Sequence, residues 1–305
     1  MDLHVPGLHF RRELLAAGYT SGEVQRERRA GALLSVRRGA YVRPDDERLG
    51  RAAERHRLLV ISTVLVLSPD SVVSHASAAM MHGLPIWGIT LDKVEVTRDA
   101  SSGGRTTRGV RRHTAPLAPS EITTVDGVLV TTVDRTLADI ARTAGFEQAV
   151  VSADAALRRH MVDRAALDAA LARAAGWPGI PAARRALAFA DPGGASPGES
   201  RSRVAMHRFG LPEPQLQWPV VDGGKVIAET DFGWPALRTV GEFDGQVKYG
   251  RTLKPGQSPG DVVFAEKVRE DAVRATDHGM VRWIWDDLDD FSPVADRLRR
   301  TFRPR

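Results

Sequence analysis

The chain has 305 residues, no cysteine and a net charge of +5. The absence of cysteine excludes disulfide bonds, thiolate zinc sites and mechanisms that need a cysteine nucleophile. With 42% hydrophobic and 27% charged residues, the composition is that of a folded globular protein, and the length favours about two domains.

The sequence predicts a cytoplasmic protein without a membrane partner. Its N-terminal residues lack the basic-then-apolar pattern of a secretory signal. Its longest apolar stretch, residues 58–67, is about half as long as the roughly 20 residues that a membrane-spanning helix needs.

Residues 1–50 predict a winged-helix DNA-binding domain. A short helix is followed by a second one over 21–30, which begins after Thr20 in a capping box with Glu23. Residues 33–42 then predict two short strands around an Arg-Gly turn. This order would place the second helix in a major groove and the hairpin against flanking phosphates.

Arginine is concentrated in this N-terminal region. Residues 20–43 contain six arginines and two glutamates, whereas residues 195–290 contain twelve basic and sixteen acidic residues. A basic surface on a predicted winged helix favours double-stranded DNA as the partner, although an ordinary solvated face is the alternative. The residues expected to contact DNA lie on the second helix and on the hairpin: Arg26, Arg28, Arg29, Arg37 and Arg38.

Residues 51–190 predict a mixed α/β middle domain that ends in a helical segment. No catalytic constellation is evident there. A stretch rich in glycine and proline, 191–198, predicts the boundary to a last domain over 196–305. Three histidines of the middle domain lie in separate predicted elements and are expected to be structural or surface residues: His75, His82 and His113.

Two stretches of the first 142 residues resemble the AbiEi-type antitoxins of type IV toxin–antitoxin systems and the related transcriptional regulators. One is the predicted winged helix, which ends in VRRGAYV. The other contains SHASAAMMHGLP and, later, VTTVDRTLADIAR. The resemblance implies DNA binding and autoregulation of an operon, with neutralisation of a cognate toxin protein encoded beside it as a further function.

Three carboxylates follow one another at the ends of predicted strands in the last domain. Asp231 lies on the return strand of a hairpin, and Glu242 and Asp244 lie on the next strand, where side chains two residues apart share a face. Acids inside a sheet are costly unless they bind a cation. Because Mg²⁺ prefers oxygen ligands from one or two carboxylates, water and phosphate, the cluster favours a nuclease site.

The same segment resembles the restriction-endonuclease-like, PD-(D/E)xK fold in its very-short-patch-repair-like branch. The matching motifs are Glu199 on a helix, Asp231-Phe232, EFDG at 242–245, EKVRED at 266–271 and VRWIW at 281–285. The resemblance implies a three-layer α/β/α domain. It also implies Asp231 and Glu242 as Mg²⁺ ligands and Glu199 as a supporting acid.

The chain departs from this family at one catalytic position. A lysine usually stands two residues after the second acid, and here that position is Asp244. Lys248, just past the EFDG turn, and Lys267, on the next helix, are the candidate replacements. Lys267 could instead form a helix salt bridge with Asp271, four residues on.

The sequence therefore predicts an α+β and α/β multidomain protein with two candidate functions. One is a Mg²⁺-dependent DNA endonuclease with catalytic residues Glu199, Asp231, Glu242, Asp244 and Lys248. The other is a non-catalytic antitoxin or transcriptional repressor, in which the nuclease-like fold serves for binding. The sequence leaves the oligomeric state open.

Overall fold

The computed structural model describes residues 5–100, 103–245, 273 and 275–303. Within them the protein has a mixed α and β architecture with three sheets. The chain divides into two compact units, Met1–Ala190 and Asp191–Arg305. These observations confirm an α+β multidomain class.

The first unit begins with two short helices and a three-stranded antiparallel sheet of order β1-β3-β2. The helix α2 begins as predicted, because Thr20 Oγ1 accepts from Glu23 N at 3.2 Å and the Glu23 carboxylate accepts from Thr20 N at 2.7 Å. Gly39, at a φ of 84°, makes the hairpin turn. These elements are β1 (His9–Phe10), α1 (Arg11–Ala16), α2 (Ser21–Arg29), β2 (Leu34–Arg37) and β3 (Ala40–Val42).

The rest of the first unit is a six-stranded mixed sheet and six helices among the described residues. The strand order is β6-β7-β5-β4-β9-β8, and α5 packs against α6, α7 and α8. The strands are β4 (Val72–Val73), β5 (Val94–Arg98), β6 (Arg105–Thr106), β7 (Val110–Thr114), β8 (Ile122–Val125) and β9 (Val128–Thr131). The helices are α3 (Ala52–Val64), α4 (His75–Met81), α5 (Val133–Thr143), α6 (Phe146–Arg158), α7 (Arg164–Arg173) and α8 (Ile180–Phe189).

One hydrophobic core joins the N-terminal region to this larger sheet. Phe10 and Val42 of the small sheet belong to the same buried cluster as Val73, Val94 and Val130 of the large one. Residues assigned by sequence to two domains, 1–50 and 51–190, therefore share a core.

A buried ion cluster fixes α5 in the first unit. Arg135 is 1% exposed, and its guanidinium donates to Asp139 and Glu121, each at 2.9 Å. The same guanidinium lies 4.7 Å from the centre of the Trp177 ring. Because removal of one partner would leave buried charge uncompensated, at a cost of roughly 3–5 kcal/mol, these residues have a structural role.

The second unit contains a four-stranded sheet of order β10-β11-β12-β13 among its described residues. The first three strands are antiparallel neighbours, and β13 runs parallel to β12. The elements are α9 (Pro197–Arg208), β10 (Gln215–Asp222), β11 (Lys225–Trp234), β12 (Thr239–Asp244), β13 (Gly279–Ile284) and α10 (Ser292–Thr301).

The two faces of this sheet have different neighbours. Phe232 and Trp283 lie in a buried cluster with Met206 of α9 and Leu298 of α10. Val240 lies in a separate cluster on the opposite face. Side chains alternate along a strand. Asp231, next to Phe232, and Glu242, two residues after Val240, therefore lie on the face of Val240.

No helix in the described ranges combines the length and the apolar character needed to cross a bilayer.

Candidate functional site

Asp231 and Glu242 lie on the same face of two adjacent strands. Phe232 pairs with Gly241 in the antiparallel register of β11 and β12, so Asp231 and Glu242, one residue further, lie opposite each other. The Asp231 carboxylate accepts from the backbone N–H of Phe243 at 2.8 Å. The two predicted metal ligands are therefore brought together at one end of β12.

Glu242 is already paired with a cation. It is 8% exposed, and its Oε2 lies 2.8 Å from Nη2 of Arg282, the residue opposite it on the parallel strand β13. A guanidinium at this distance stabilises the charged carboxylate and competes with any metal ion for the same oxygen.

Glu199 is held by hydrogen bonds at the start of α9. Its carboxylate accepts from Ala195 N at 3.0 Å, from Ser196 Oγ at 2.8 Å and from Gln217 Nε2 at 2.9 Å. Leu216 pairs with Phe232 and Trp218 pairs with Thr230, so the backbone of Gln217 lies across from that of Asp231. Ser196 caps α9, since its Oγ accepts from Glu199 N at 3.2 Å, and the Glu199 carboxylate connects this first turn to β10.

The remaining predicted catalytic residues are less constrained. Asp244 is exposed at the end of β12, on the face of Glu242. Lys248 and the EKVRED motif at 266–271 lie outside the described residues. Within the described ranges, no group of three or more His, Asp or Glu side chains is arranged to hold a metal ion.

The predicted DNA-contacting arginines divide into exposed and engaged side chains. Arg26, Arg28, Arg29 and Arg38 are exposed, and Arg26 lies 3.9 Å from the carboxylate of Glu23. Arg37 donates to the carbonyl of Ser62 at 3.1 Å, in the last turn of α3, and burial lowers its pKa below the usual value. Arg37 therefore satisfies a helix C-terminus, a role that the sequence did not predict.

A groove of about 770 Å³ lies beside the hairpin in the first unit. Arg28, Arg37 and Arg38 line it, together with Arg108 from the β6–β7 turn. The Arg28 guanidinium lies 5.7 Å from the centre of the Tyr41 ring, which orients it. Arg108 extends the basic surface beyond the residues predicted from sequence.

His75 and His113 lie on separate elements, as predicted, but the fold brings them into contact. Their rings stack with centres 3.7 Å apart and planes 15° apart. Glu95 joins them, since its Oε1 lies 3.4 Å from His113 Nε2 and 3.2 Å from Arg111 Nη1. We call His75, Glu95, Arg111 and His113 the stacked-histidine cluster.

The pKa values of this cluster reflect burial and pairing. Burial lowers the pKa of His75 to about 4. Burial alone would raise the pKa of Glu95, but the hydrogen bond from His113 and the nearby charges outweigh it and lower that pKa to about 2. The cluster therefore combines a neutral His75 with a charged Glu95 at neutral pH.

Sequence reasoning missed this cluster because tertiary pairing creates it. Glu95 and Arg111 are register partners on the parallel strands β5 and β7. His75 reaches them from the start of α4, in a left-handed conformation with a φ of 52°. The sequence does show that Arg111 and His113, two residues apart, share one face of a strand. It does not show that this strand pairs with the one that contains Glu95.

Two proteins of Mycobacterium tuberculosis are similar to the chain. They are Uncharacterized protein MT2308, from strain CDC 1551 / Oshkosh, and Uncharacterized protein Rv2248, from strain H37Rv. Each is 30% identical over 215 residues, which cover 70% of this chain and 74% of the relative. The chain belongs to their family. Because both relatives are uncharacterized, membership of this family assigns no activity to the chain.

The other comparisons add no functional information. No protein-family model matches the chain. A crystal structure of the RV2827C protein from Mycobacterium tuberculosis aligns with 66% of this chain and 76% of its own, at a TM-score of 0.40 and 13% identity. A likeness this distant carries no argument about fold or function.

Proposed function

We propose that this protein is a cytoplasmic DNA-binding protein whose second unit is a very-short-patch-repair-like endonuclease domain that cleaves DNA phosphodiesters with Mg²⁺. The observation that supports this proposal is the placement of Asp231 and Glu242, opposite each other on one face of adjacent strands. Two acids at such a position match the ligand set that Mg²⁺ takes from proteins, with water and phosphate oxygens completing its shell.

The described residues have distinct roles in this proposal. Asp231 and Glu242 would hold Mg²⁺, which when bound supplies an activated water and offsets charge on the attacked phosphate. Arg282, 2.8 Å from Glu242, provides a guanidinium beside the acids and can bind a substrate phosphate. Asp244 stands where the family usually has a lysine, and it cannot supply a positive charge. Arg282 would supply that charge instead. Glu199, which accepts a hydrogen bond from Gln217, would be the supporting acid.

The first unit would deliver the protein to DNA. In a winged-helix arrangement α2 enters a major groove and the β2–β3 hairpin contacts phosphates. Arg26, Arg29 and Arg38 are exposed on these two elements, as phosphate contacts require. Arg28 and Arg108, which line the groove beside the hairpin, extend the same surface.

Plasmid cleavage tests the catalytic proposal. Purified protein is incubated with supercoiled plasmid with and without Mg²⁺, and wild type is compared with Asp231→Asn and Glu242→Gln. We expect nicking or cutting only with Mg²⁺, and loss of cleavage in both variants while DNA binding is retained. Asp222→Asn is the matched control and should cleave normally, because Asp222 is an exposed acid at the end of β10. Cleavage that persists in both site variants would exclude this site.

A non-catalytic repressor or antitoxin is the second candidate function. It is favoured by the Glu242–Arg282 ion pair, because the guanidinium already neutralises a predicted metal ligand. The same assay separates the two candidates. Tight DNA binding by wild type without Mg²⁺-dependent cleavage would favour the repressor, and neutralisation of a cognate toxin would then define the antitoxin.

A further inference from the structure

The stacked-histidine cluster lines a pocket of about 290 Å³ in the first unit. Besides the cluster, Gln148 and Ile140 contribute to its wall. None of these residues has a role in the proposed cleavage or in the basic surface. The pocket therefore needs a separate explanation.

His75 presents a hydrogen-bond donor that lacks a partner. Thr97 Oγ1 donates to Ser74 Oγ at 2.8 Å, and His75 Nδ1 lies 2.9 Å from the same oxygen. When the Ser74 hydroxyl donates to Nδ1, the proton of the neutral ring lies on Nε2. His75 is 2% exposed, and its Nε2 has no hydrogen-bond partner among the described residues. A buried donor of this kind calls for an acceptor, which a bound ligand or a water molecule can supply.

Two neighbouring groups of the wall can donate to the same ligand. Arg111 uses one of its five N–H groups on Glu95 and, being a guanidinium, can only donate. The Gln148 amide lies against Gly88 and Gly145. A Cβ on Gly88 would lie 2.8 Å from its Nε2, and a Cβ on Gly145 would lie 2.2 Å from its Oε1. Glycine at both positions thus leaves room for the amide at the pocket.

The acids of the pocket are already occupied. Glu95 accepts from Ala76 N at 3.1 Å as well as from Arg111. Asp92, at the exposed rim, lies 3.3 Å from the ammonium of Lys93. Each of these two acids is therefore already paired with a cationic side chain.

A shared metal ion does not fit the two rings. A metal lies in the plane of each imidazole that binds it, whereas rings stacked at 3.7 Å with planes 15° apart would hold a shared ion out of both planes. No metal-binding group of three was found in the described ranges either.

We infer that the pocket binds a small ligand through an oxyanion, a carboxylate or a phosphate, which accepts from His75 Nε2 and from Arg111. Both donors are directional, and an oxyanion supplies two acceptor oxygens at once. Ile140 would contact the remainder of the ligand. This site is independent of the proposed DNA cleavage.

Side-chain ¹⁵N NMR of histidine-labelled protein tests the inference. The whole chain is titrated with sodium acetate or with sodium phosphate at constant ionic strength, and the His75 signal is assigned by its loss in His75→Asn. We expect a saturable shift of His75 Nε2 with one of the two anions; acetate would identify a carboxylate site and phosphate a phosphate site. Arg111→Gln should weaken this binding about tenfold.

Arg112→Gln is the matched control, because it removes the same charge from the opposite face of β7 and should leave the affinity unchanged. If Arg111→Gln fails to fold, Gln148→Leu provides a second variant with weakened binding. Absence of a saturable shift with either anion, or equal affinity in the wall variants, would overturn the inference. Zinc chloride that shifts both histidines while the anions have no effect would replace it with a metal site.

Discussion

At the scale of single residues, His75 combines three unfavourable features. Its φ of 52° is rare for a residue with a side chain, its ring is buried, and one ring nitrogen lacks a partner in the described ranges. A residue in such a backbone conformation costs about 1–3 kcal/mol, and such residues are concentrated at functional sites. The surrounding contacts with Ser74 and His113 hold it in place.

The stability of the protein should depend on the titration of His75. Its folded pKa, about 4, lies below the usual 6.5, so its contribution is complete above pH 6.5 and is lost as the pH falls towards 4. Between pH 7 and pH 5 we expect wild type to lose about 2 kcal/mol more than His75→Asn does. Urea denaturation at both pH values measures this difference.

His160→Asn is the control for that experiment. His160 has the same φ of 52° but is exposed, and asparagine tolerates this conformation in both variants. The control should follow wild type at both pH values. An equal pH dependence in wild type and His75→Asn would show that His75 does not titrate as its burial requires.

At the scale of elements, Gly198 allows the start of α9 to pack closely against β12. A Cβ on Gly198 would lie 1.9 Å from Cε1 of Phe243, whose ring also packs edge-on against Trp285 at 5.1 Å. The ring has little room to move. This close approach joins the helix that contains Glu199 to the strand that contains Glu242.

Gly198→Ala should therefore destabilise the protein, although alanine favours helices. Overpacking costs about 1–3 kcal/mol, whereas the helix preference of alanine over glycine is about 0.5–1 kcal/mol. Gly22→Ala in α2, where the nearest atom would be 3.7 Å away, should be neutral or stabilising. Urea denaturation of both variants gives the comparison, and equal stabilities would contradict the close packing.

Much of the local structure could be predicted from the sequence. The capping box of Thr20 and Glu23 and the hairpin turn at Gly39 depend on neighbouring residues, whose chemistry is visible in the sequence. The Glu242–Arg282 ion pair could not be predicted, because it depends on the parallel pairing of β12 with a strand forty residues away. The His75–His113 stack was missed for the same physical reason.

At the scale of the whole molecule, charge separates along the sequence. The arginines of residues 20–43 contrast with the acid-rich residues 195–290. If the basic surface contacts DNA phosphates, each contact releases counterions and makes binding weaken with salt. The salt dependence of binding therefore reports which arginines take part.

The double variant Arg29→Gln/Arg38→Gln should bind duplex DNA with a shallower salt dependence. Loss of two phosphate contacts reduces the slope of log K against log salt by about 2. Fluorescence anisotropy over a series of NaCl concentrations measures it. Arg37 is left intact because its loss would also remove the cap on α3. Arg184→Gln/Arg185→Gln, exposed on α8, is the control, and an equal slope in both double variants would exclude the α2–hairpin surface.

The core shared by the small and large sheets has a consequence for synthesis on the ribosome. Phe10 and Val42 emerge early, but their cluster is complete only when Val130, on β9, has left the exit tunnel. The cluster around the first fifty residues therefore stays incomplete while about eighty further residues are translated at roughly 5–20 residues per second. Over those several seconds we expect the nascent N-terminal segment to present apolar chain of the kind that chaperones bind.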